Sequence, residues 1–266
     1  MEVAGKTTLL TGATGGLGRA IAAALAARGA KLILSGRQAE ALEALAAELP
    51  GAGHRALAAD LAEEGAGAKL VADAGEVDVL VANAGLPGSG RIDEYDAEQM
   101  ARVLRVNLEA PMQMARVLEG QMAARGRGHM VFIASLAGKS ATPLASIYAA
   151  TKFGLRGFAL SLRADLSSQG VGVSLVTPGF IRGAGLLADS GAGAPPGLGT
   201  ASPAQVGAAV VEAIEKDKVE VVVAPLHQRA LGHFALCAPS LNVRTASGGL
   251  AKKSAAAVAA GQLDKR

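Results

Sequence analysis

Cysteine, aromatic residues and long apolar runs are scarce in this 266-residue chain. The only cysteine, Cys237, has no partner for a disulfide within the chain, which is typical of proteins in a reducing compartment. Tryptophan is absent, and two tyrosines and five phenylalanines do not supply the stacking face of a nucleic-acid-binding surface. No apolar run reaches the roughly 18 residues that a membrane span requires, and the first residues lack the apolar stretch of a secretory signal. We therefore expect a cytoplasmic protein with no nucleic-acid partner and no membrane span.

The charged residues and histidines are few and scattered. The net charge is +3 and the pI is about 9.1, a small positive excess that fits an anionic cofactor. The four histidines, His54, His129, His227 and His233, show no metal-ligand spacing, so we expect no metal site.

Apolar, partly β-branched runs alternate along the chain with Ala- and Leu-rich helical stretches. Half of the residues are apolar, enough to bury a large core. Strands are predicted at residues 7–11, 31–35, 55–59, 78–82, 130–135, 172–177 and 219–223, and helices at 16–28, 38–48, 62–74, 97–125, 147–168 and 203–216. This alternation predicts an α/β fold, a Rossmann-like doubly wound parallel sheet of about seven strands with helices on both faces.

The order of the elements predicts a Rossmann-fold domain over residues 1–224 and a C-terminal extension over residues 225–266. The extension shows no further strand, and three interpretations stay open: a packing element, an oligomer arm or an attachment to a membrane surface. We expect Cys237 to be buried there as a small apolar residue. Residues 183–202 are rich in Gly, Ala and Pro and predict a long functional loop with at most a short helix near 186–189.

A glycine-rich segment joins the first predicted strand to the first predicted helix, and it reads Thr11-Gly12-Ala13-Thr14-Gly15-Gly16-Leu17-Gly18. Glycines permit the sharp turn and let the backbone approach a pyrophosphate at the helix N-terminus. The segment therefore predicts a dinucleotide-binding loop, and the alternative is a plain tight turn. The predicted cofactor contacts are Gly12, Thr14, Gly15, Gly16, Leu17 and Gly18.

The residues after the second strand indicate which dinucleotide binds. Enzymes that use NAD place an acidic residue here to hold the ribose hydroxyls, but this chain has Ser35-Gly36-Arg37. A carboxylate would repel a 2′-phosphate, whereas a guanidinium binds it in a fork. We therefore predict NADP(H), with Ser35 and Arg37 as contacts. NAD(H) is the alternative, in which Arg37 is only a solvated residue before the next helix.

Tyr148 and Lys152 lie four residues apart in a predicted helix and so share a face. A positive charge beside a phenol stabilises the phenolate, so we expect Lys152 to lower the pKa of Tyr148. Tyr148 then exchanges a proton with a carbonyl or an alcohol. Ser135, at the end of the fifth predicted strand, has a hydroxyl that can hold the substrate oxygen beside the phenol. Alone, such a Tyr/Lys pair also fits a half-exposed helix surface.

Taken together in their order, these segments resemble the short-chain dehydrogenase/reductase family over residues 6–223. The resemblance is carried by the glycine-rich loop, Asp60-Leu61, Asn83-Ala84-Gly85, Asn107, Ser135, Tyr148 to Lys152, and Pro178-Gly179. It implies a hydride-transferring enzyme in which Tyr148 is the general acid/base, Lys152 also binds the nicotinamide ribose, and Ser135 orients the substrate.

The resemblance assigns roles to residues outside that trio. Asn107 would hold a water that connects Lys152 to a proton relay, at a bulged helix; the alternative is a kink residue with no proton role. Asp60 and Leu61 would face the adenine, and Asn83, Ala84 and Gly85 would support the adenosine half. Pro178, Gly179 and the backbone of Ile181 would meet the nicotinamide. Gly183 stands where the family usually has a threonine that holds the carboxamide.

The substrate contacts predicted besides Ser135 and Tyr148 are Leu136, Leu144 and Phe180. These apolar side chains favour a lipophilic ketone or secondary alcohol, although apolar residues also seal core edges. Two alternatives stay open: a cofactor-binding scaffold with little turnover, and an acyl-thioester ketoreductase with Arg182 as the only basic residue near the site mouth. The resemblance also implies a homodimer or homotetramer.

Overall fold

The computed structural model describes residues 1–194 and 197–262 of the chain. The strands are β1 (Thr7–Thr11), β2 (Lys31–Gly36), β3 (Arg55–Ala58), β4 (Val79–Ala82), β5 (Gly128–Ile133), β6 (Val171–Pro178) and β7 (Glu220–Val223). All seven pair in parallel in one sheet, in the order β3-β2-β1-β4-β5-β6-β7. The predicted α/β doubly wound fold is confirmed.

Helices connect the strands and cover both faces of the sheet. They are α1 (Gly16–Ala26), α2 (Ala39–Glu48), α3 (Ala66–Ala74), α4 (Ala97–Leu104), α5 (Ala110–Ala124), α6 (Ser146–Leu166), α7 (Gly185–Asp189), α8 (Pro203–Glu215), α9 (Leu226–Cys237), α10 (Pro239–Ala246) and α11 (Gly249–Ala260). Within the part of the chain that the structure describes, no helix is long and apolar enough to cross a bilayer.

Successive apolar side chains of the strands point to opposite faces, as in any pleated sheet. Leu10 packs with Ile21 of α1 and Val210 of α8 in one buried cluster. Its neighbour Leu9 packs with the second cluster, which contains Leu118 of α5 and other residues of α3 and α6. Burial on both faces explains why the strands are continuous apolar runs, because neither side of the sheet meets water.

The strand order reverses beside β1, which has β2 on one side and β4 on the other. In an open parallel sheet, such a reversal separates the loops at the carboxyl ends of the strands and leaves a crevice. The loops that follow β1, β2, β4 and β5 therefore meet at one edge, and this edge carries the predicted site residues.

Three predicted elements differ from the observed ones for local reasons. The helix predicted at 62–74 begins at Ala66, because Asp60 Oδ1 accepts a hydrogen bond from Ala62 N at 3.0 Å and Gly65 is left-handed. The helix predicted at 97–125 is interrupted by a π-helical turn at Arg105–Glu109. Pro111 has no N–H to donate to the carbonyl of Asn107, which favours this wider turn. Strand β5 ends at Ile133, so Ser135 follows the strand and does not end it.

The region beyond Pro225 folds into α9, α10 and α11, which the sequence pattern did not predict. The inner side of α9 is buried at Gln228, Gly232 and Ala235, so this helix packs on the rest of the molecule. Cys237, at the end of α9, is exposed, and the expectation of a buried cysteine is wrong.

Candidate active site

The turn from β1 into α1 presents the first N–H groups of the helix. Gly12 has a φ of 63°, and a Cβ added there would lie 2.9 Å from Ala84 Cα, so glycine is required for both conformation and space. Gly15 is the N-cap residue of α1, and no side chain of the described residues caps the helix. Uncapped N–H groups and the helix dipole attract an anion. The backbone from Gly15 to Leu17 thus fits a phosphate.

Asn83 joins the carboxyl end of β4 to this turn. Its backbone N donates to Thr11 Oγ1 at 3.0 Å, and its Nδ2 donates to Thr11 O at 3.0 Å and Gly12 O at 3.1 Å. Ala84 N also donates to Thr11 Oγ1, at 3.0 Å. These four bonds hold the loop after β4 against the loop after β1, so Asn83 and Thr11 set the shape of the crevice between them.

The residues predicted to face the adenosine half lie along the same edge. Ser35 is buried at the end of β2, and its carbonyl accepts from Ala13 N at 3.0 Å. Arg37 is exposed just beyond, and no described carboxylate pairs with it. Leu61 is buried, and the turn that Asp60 forms presents this segment to the crevice. The contacts of these residues with a dinucleotide remain predictions from the sequence.

Ser135 and the first two turns of α6 bring the predicted catalytic side chains together. Ser135 Oγ accepts a hydrogen bond from Ala137 N at 3.1 Å and is also hydrogen-bonded to the phenol of Tyr148. Lys152 Nζ lies 5.7 Å from the centre of the Tyr148 ring and donates to Ile133 O at 2.9 Å. Hydroxyl, phenol and ammonium therefore face one space beyond the end of β5.

The surroundings of Tyr148 and Lys152 change their proton affinities. Desolvation among neighbouring protein atoms raises the pKa of Tyr148 to about 12, and the hydrogen bond from Ser135 opposes the rise. Burial lowers the pKa of Lys152 to about 8. The expectation that the pKa of Tyr148 is lowered is therefore wrong for the protein groups alone, because desolvation of the phenol is the largest cause and only the hydrogen bond with Ser135 opposes it. At neutral pH the phenol is protonated, the form that a proton donor needs.

Asn107 lies fully buried in the π-helical turn between α4 and α5. Its Oδ1 accepts from Leu86 N at 2.7 Å, and its Nδ2 donates to Leu86 O at 2.9 Å and to Thr151 Oγ1 at 3.3 Å. A Cβ added to Gly85 would lie 3.6 Å from Asn107 Oδ1 and 3.9 Å from Lys152 Nζ. Asn107 therefore holds the loop after β4 beside α6, close to Lys152 but without a direct bond to it.

Sequence reasoning missed a buried ion pair behind the Ser135 turn. Lys139 is 1% exposed, and its Nζ donates to Glu220 Oε2 at 2.8 Å. Glu220 Oε1 also accepts from Thr177 Oγ1 at 2.7 Å, and Arg156 lies 3.7 Å from its other oxygen. One carboxylate thus joins the Ser135 turn, α6 and the end of β6. No local pattern identifies such a pair, because its partners are 81 residues apart.

The end of β6 leads into the segment predicted to meet the nicotinamide. Pro178 ends the strand, Gly179 N donates to Val223 O at 3.0 Å, and Ile181 is buried in a bridge with Ala201. Gly183 has a φ of 70°, a left-handed conformation that a β-branched threonine avoids. The backbone at this position therefore accounts for the glycine that departs from the family pattern.

A second residue that sequence reasoning missed is Gln228 of α9, which is 4% exposed. Its Oε1 accepts from Phe180 N at 3.4 Å, and its Nε2 donates to Leu198 O at 2.6 Å and Gly199 O at 3.0 Å. One side chain of the C-terminal region therefore bonds both ends of the loop that follows β6.

Leu136, Leu144 and Phe180 remain predicted substrate contacts. Leu136 follows Ser135 and packs against Gly179 and Gly232, where added Cβ atoms would lie 3.1 and 3.0 Å from its methyl groups. Leu144 has a φ of 54°, rare for leucine, and its carbonyl accepts from Gly90 N at 2.8 Å. Phe180 begins the loop after β6. Within the described ranges, no cluster of three His, Cys, Asp or Glu residues could bind a metal.

Comparison with known proteins identifies relatives over most of the chain. The chain is 37% identical over 225 residues to ketoacyl reductase HetN of Nostoc sp., covering 82% of this chain and 78% of that protein. It is 36% identical over 255 residues to dehydrogenase/reductase SDR family member 7B of Bos taurus, covering 89% and 78%. A short-chain dehydrogenase from Sphingobium yanoikuyae, solved in complex with NADPH, superposes with a TM-score of 0.77 at 26% identity, covering 92% of this chain and 97% of that one.

The short chain dehydrogenase family model matches residues 6–193, well over half of the chain. This span contains the phosphate loop, Asn107, Ser135, Tyr148 and Lys152. The parallel sheet and the placement of these residues at its carboxyl edge agree with the match. The chain belongs to the short-chain dehydrogenase/reductase family of oxidoreductases.

Proposed function

We propose that the chain is an NADP(H)-dependent oxidoreductase that exchanges a hydride and a proton with a carbonyl or a secondary alcohol. The observation that carries the proposal is the meeting of Ser135, Tyr148 and Lys152 at the carboxyl edge of the sheet. A scaffold protein has no need to bury a lysine beside a phenol and a hydroxyl, since burying a charge costs free energy.

The residues of the crevice fit a dinucleotide phosphate. The uncapped N-terminus of α1 would hold the pyrophosphate, and Ser35 and Arg37 would hold a 2′-phosphate. Lys152 would bind the nicotinamide ribose, and the backbone of Ile181 the carboxamide. When bound, the cofactor supplies or accepts the hydride. NAD(H) is the alternative if Arg37 contributes nothing to binding.

Side chains of the protein orient the carbonyl oxygen of the substrate and supply its proton. In reduction, the hydroxyl of Ser135 and the phenol of Tyr148 orient the carbonyl oxygen, and Tyr148 donates the proton that completes the alcohol. The ammonium of Lys152 then stabilises the phenolate that remains. Because the pKa of Lys152 is about 8, we expect the rate of reduction to fall as pH rises above this value. We propose that Asn107 supports the position of Lys152 and Tyr148. As in the family, it would also hold a water that connects Lys152 to a proton relay.

Leu136, Leu144 and Phe180 favour a lipophilic ketone or alcohol as substrate. A second candidate is an acyl thioester, since HetN is named a ketoacyl reductase. Arg182 is exposed beside buried Ile181 and would meet a phosphopantetheine arm. The two substrates are distinguished by comparing kcat/KM for an acetoacetyl thioester with that for the free ketone. Preference for the thioester that disappears in Arg182→Gln supports the ketoreductase.

Further parts of the proposal concern organisation. Residues 1–224 form the catalytic Rossmann-fold domain, and residues 225–266 are an extension that braces the loop after β6 through Gln228. We also propose a homodimer or homotetramer located in the cytoplasm. Light scattering of the purified chain measures the assembly.

The test is Tyr148→Phe, with Tyr95→Phe as its matched control. Tyr95 is the only other tyrosine, and its hydroxyl donates to Ser89 O at 2.9 Å. We expect Tyr148→Phe to lower NADPH oxidation with a lipophilic ketone by roughly 10²- to 10⁴-fold and to leave NADPH affinity unchanged by calorimetry. Full activity of this variant would refute the mechanism, and dinucleotide binding by the parent chain without turnover of a ketone or an alcohol would favour the cofactor-binding scaffold.

A further inference from the structure

Large apolar side chains are concentrated on the outside of α9 and α10. Of the eleven that are exposed in the described part of the chain, six lie in these two short helices. Monomeric proteins seldom expose many large apolar residues together without an interaction partner. The six are Leu226 (78% exposed), Leu231 (54%), Phe234 (46%), Leu236 (37%), Leu241 (46%) and Val243 (53%).

The orientation of helix α9 is fixed by the side that faces the molecule. Leu226 and Phe234 are eight residues apart and so share one face of the helix. Gln228 and Gly232 are buried on the other face, where Gln228 makes its three hydrogen bonds to the loop after β6. The apolar residues therefore point to solvent because the inner face is already occupied.

The charges of this region have one sign. No aspartate or glutamate occurs between Glu220 and Asp264. The basic residues in this stretch are all exposed: Arg229, Arg244, Lys252 and Lys253. No acidic group on these helices neutralises them. The outer surface of α9 and α10 thus combines exposed apolar side chains with the cations Arg229 and Arg244 and carries no carboxylate of its own, the composition of an interfacial segment that binds anionic lipid.

We propose that the outer surface of α9 and α10 docks onto a bilayer that contains anionic phospholipid, with the apolar side chains in the interface and the basic residues at the headgroups. A second copy of the chain is a poorer occupant, because a two-fold contact joins the same surface of both copies, and α9 and α10 offer no carboxylate to pair with Arg229 or Arg244 of the copy. Nucleic acid offers phosphates but no apolar layer for Leu226 or Phe234.

The proposed docking surface is the outer face of α9, and the inner face of this helix contacts the segments that contain Leu136 and Phe180. The inner face of α9 contacts Leu136 through Gly232, and Gln228 bonds Phe180. A bilayer bound to the outer face would thus lie one helix away from the loops around Tyr148. The lipid-binding proposal does not depend on the proposed reaction, because its readout is binding to vesicles.

The experiment measures co-sedimentation of the full chain with vesicles of phosphatidylcholine alone and of phosphatidylcholine with phosphatidylserine. Cys237 gives a second readout, because it is the only cysteine, lies exposed at the end of α9, and accepts an environment-sensitive dye. We expect binding to the anionic vesicles that weakens with added salt, and a blue shift of the dye on those vesicles only.

Two pairs of variants separate the contributions. Leu226→Ser/Phe234→Ser removes apolar contact, and its control is Val219→Ser, which is as exposed as Phe234 at 46% but lies outside the surface. Arg229→Gln/Arg244→Gln removes charge, and its control Lys31→Gln/Arg116→Gln removes two exposed charges elsewhere. We expect the apolar variant and the charge variant of the α9–α10 surface each to lower vesicle affinity roughly tenfold or more, and the control variants to bind as the parent does.

Retained NADPH affinity and circular dichroism show that the variants are folded. The proposal would be overturned by equal binding to neutral and anionic vesicles or by no binding to either. It would also be overturned if both variants of the α9–α10 surface bound vesicles as the parent does. Conversion of an oligomer to a monomer by the apolar variant, without vesicle binding by the parent, would assign the surface to a second copy instead. Loss of enzyme activity with intact vesicle binding would refute only the proposed function.

Discussion

Two clusters of polar side chains lie at opposite ends of the strands β5 and β6. Ser135, Tyr148 and Lys152 meet beyond the carboxyl end of β5, whereas His129 and Ser174 lie near the amino ends of β5 and β6, beside Arg163 and Asp217. By residue type alone, a serine, a histidine and an aspartate resemble a hydrolytic site more closely than a serine, a tyrosine and a lysine do.

The two clusters differ in whether their groups are already satisfied. His129 and Ser174 are 2% and 1% exposed. Ser174 Oγ donates to Lys218 O at 2.5 Å and lies 2.8 Å from His129 Nε2, so the network makes Nε2 the donor to the hydroxyl. Ser135 keeps a partly exposed surface next to the phenol.

The comparison shows that access and position, more than residue type, distinguish a site from a structural network. In a doubly wound sheet the crevice opens at the carboxyl ends of the strands, where loops leave room for a ligand. At the amino ends, the imidazole of His129 is hydrogen-bonded to the hydroxyl of Ser174, which donates to the carbonyl of Lys218. These bonds link β5, β6 and the segment before β7. Five substitutions and one titration test this contrast.

The largest expected effect comes from replacing each of the two serines, in turn, with alanine. Ser135→Ala should lower kcat by roughly 10²- to 10³-fold with little change in stability, because it removes a donor to the substrate oxygen. Ser174→Ala should leave kcat unchanged and lower the free energy of unfolding by about 1–3 kcal/mol, because buried partners lose their bond. Steady-state kinetics and urea unfolding measure both. A large loss of kcat in Ser174→Ala would show that the amino edge participates in the reaction.

A second prediction concerns acid stability. Burial lowers the pKa of His129 to about 4, against the opposing charge of Asp217, while the unfolded chain keeps an ordinary histidine near 6.5. The unfolded state therefore binds more protons between these values, and stability falls as pH decreases from about 6.5 to 4. The expected loss from this group is about 3 kcal/mol, measured by urea unfolding at a series of pH values.

His129→Gln is the control for this titration. Its amide still donates to Ser174 but does not titrate, so the acid-dependent loss should shrink while stability at neutral pH changes less. An identical pH dependence in the parent and in His129→Gln would show that other groups control acid unfolding.

The smallest effect is expected from the arginines at the two edges. Arg37 at the carboxyl edge has no described carboxylate partner, whereas Arg163 donates to Asp217 Oδ1 at 2.9 Å. Arg37→Gln should raise the Kd for NADPH roughly tenfold and leave that for NADH unchanged, because only the former carries a 2′-phosphate. Arg163→Gln should change neither affinity and only lower the melting temperature. Calorimetric titration distinguishes them, and equal Kd values for the two dinucleotides in the parent would refute the assignment of Arg37.

Much of the fold could be predicted because its signals are local. The run before Gly12 and the run ending at Ser35 are buried strands whose apolar residues are contiguous in sequence. The π-helical turn at Asn107 was expected only as a bulge of the family, since no residue pattern distinguishes it from a continuous helix. The helices after Pro225 lack a strong periodic pattern, because much of their apolar surface faces solvent.

The sequence by itself determined the α/β class and the family, and it predicted the phosphate-binding turn and the roles of Tyr148, Lys152, Ser135 and Asn107, because these depend on short-range spacing and on an ordered series of motifs. Only the tertiary structure decided how those groups are placed and titrated: desolvation raises the pKa of Tyr148 despite Lys152 nearby. It also revealed the Lys139–Glu220 pair and the anchoring of the loop after β6 by Gln228. Burial and contacts between residues 48 or 81 positions apart arise when the chain packs, and no local pattern encodes them.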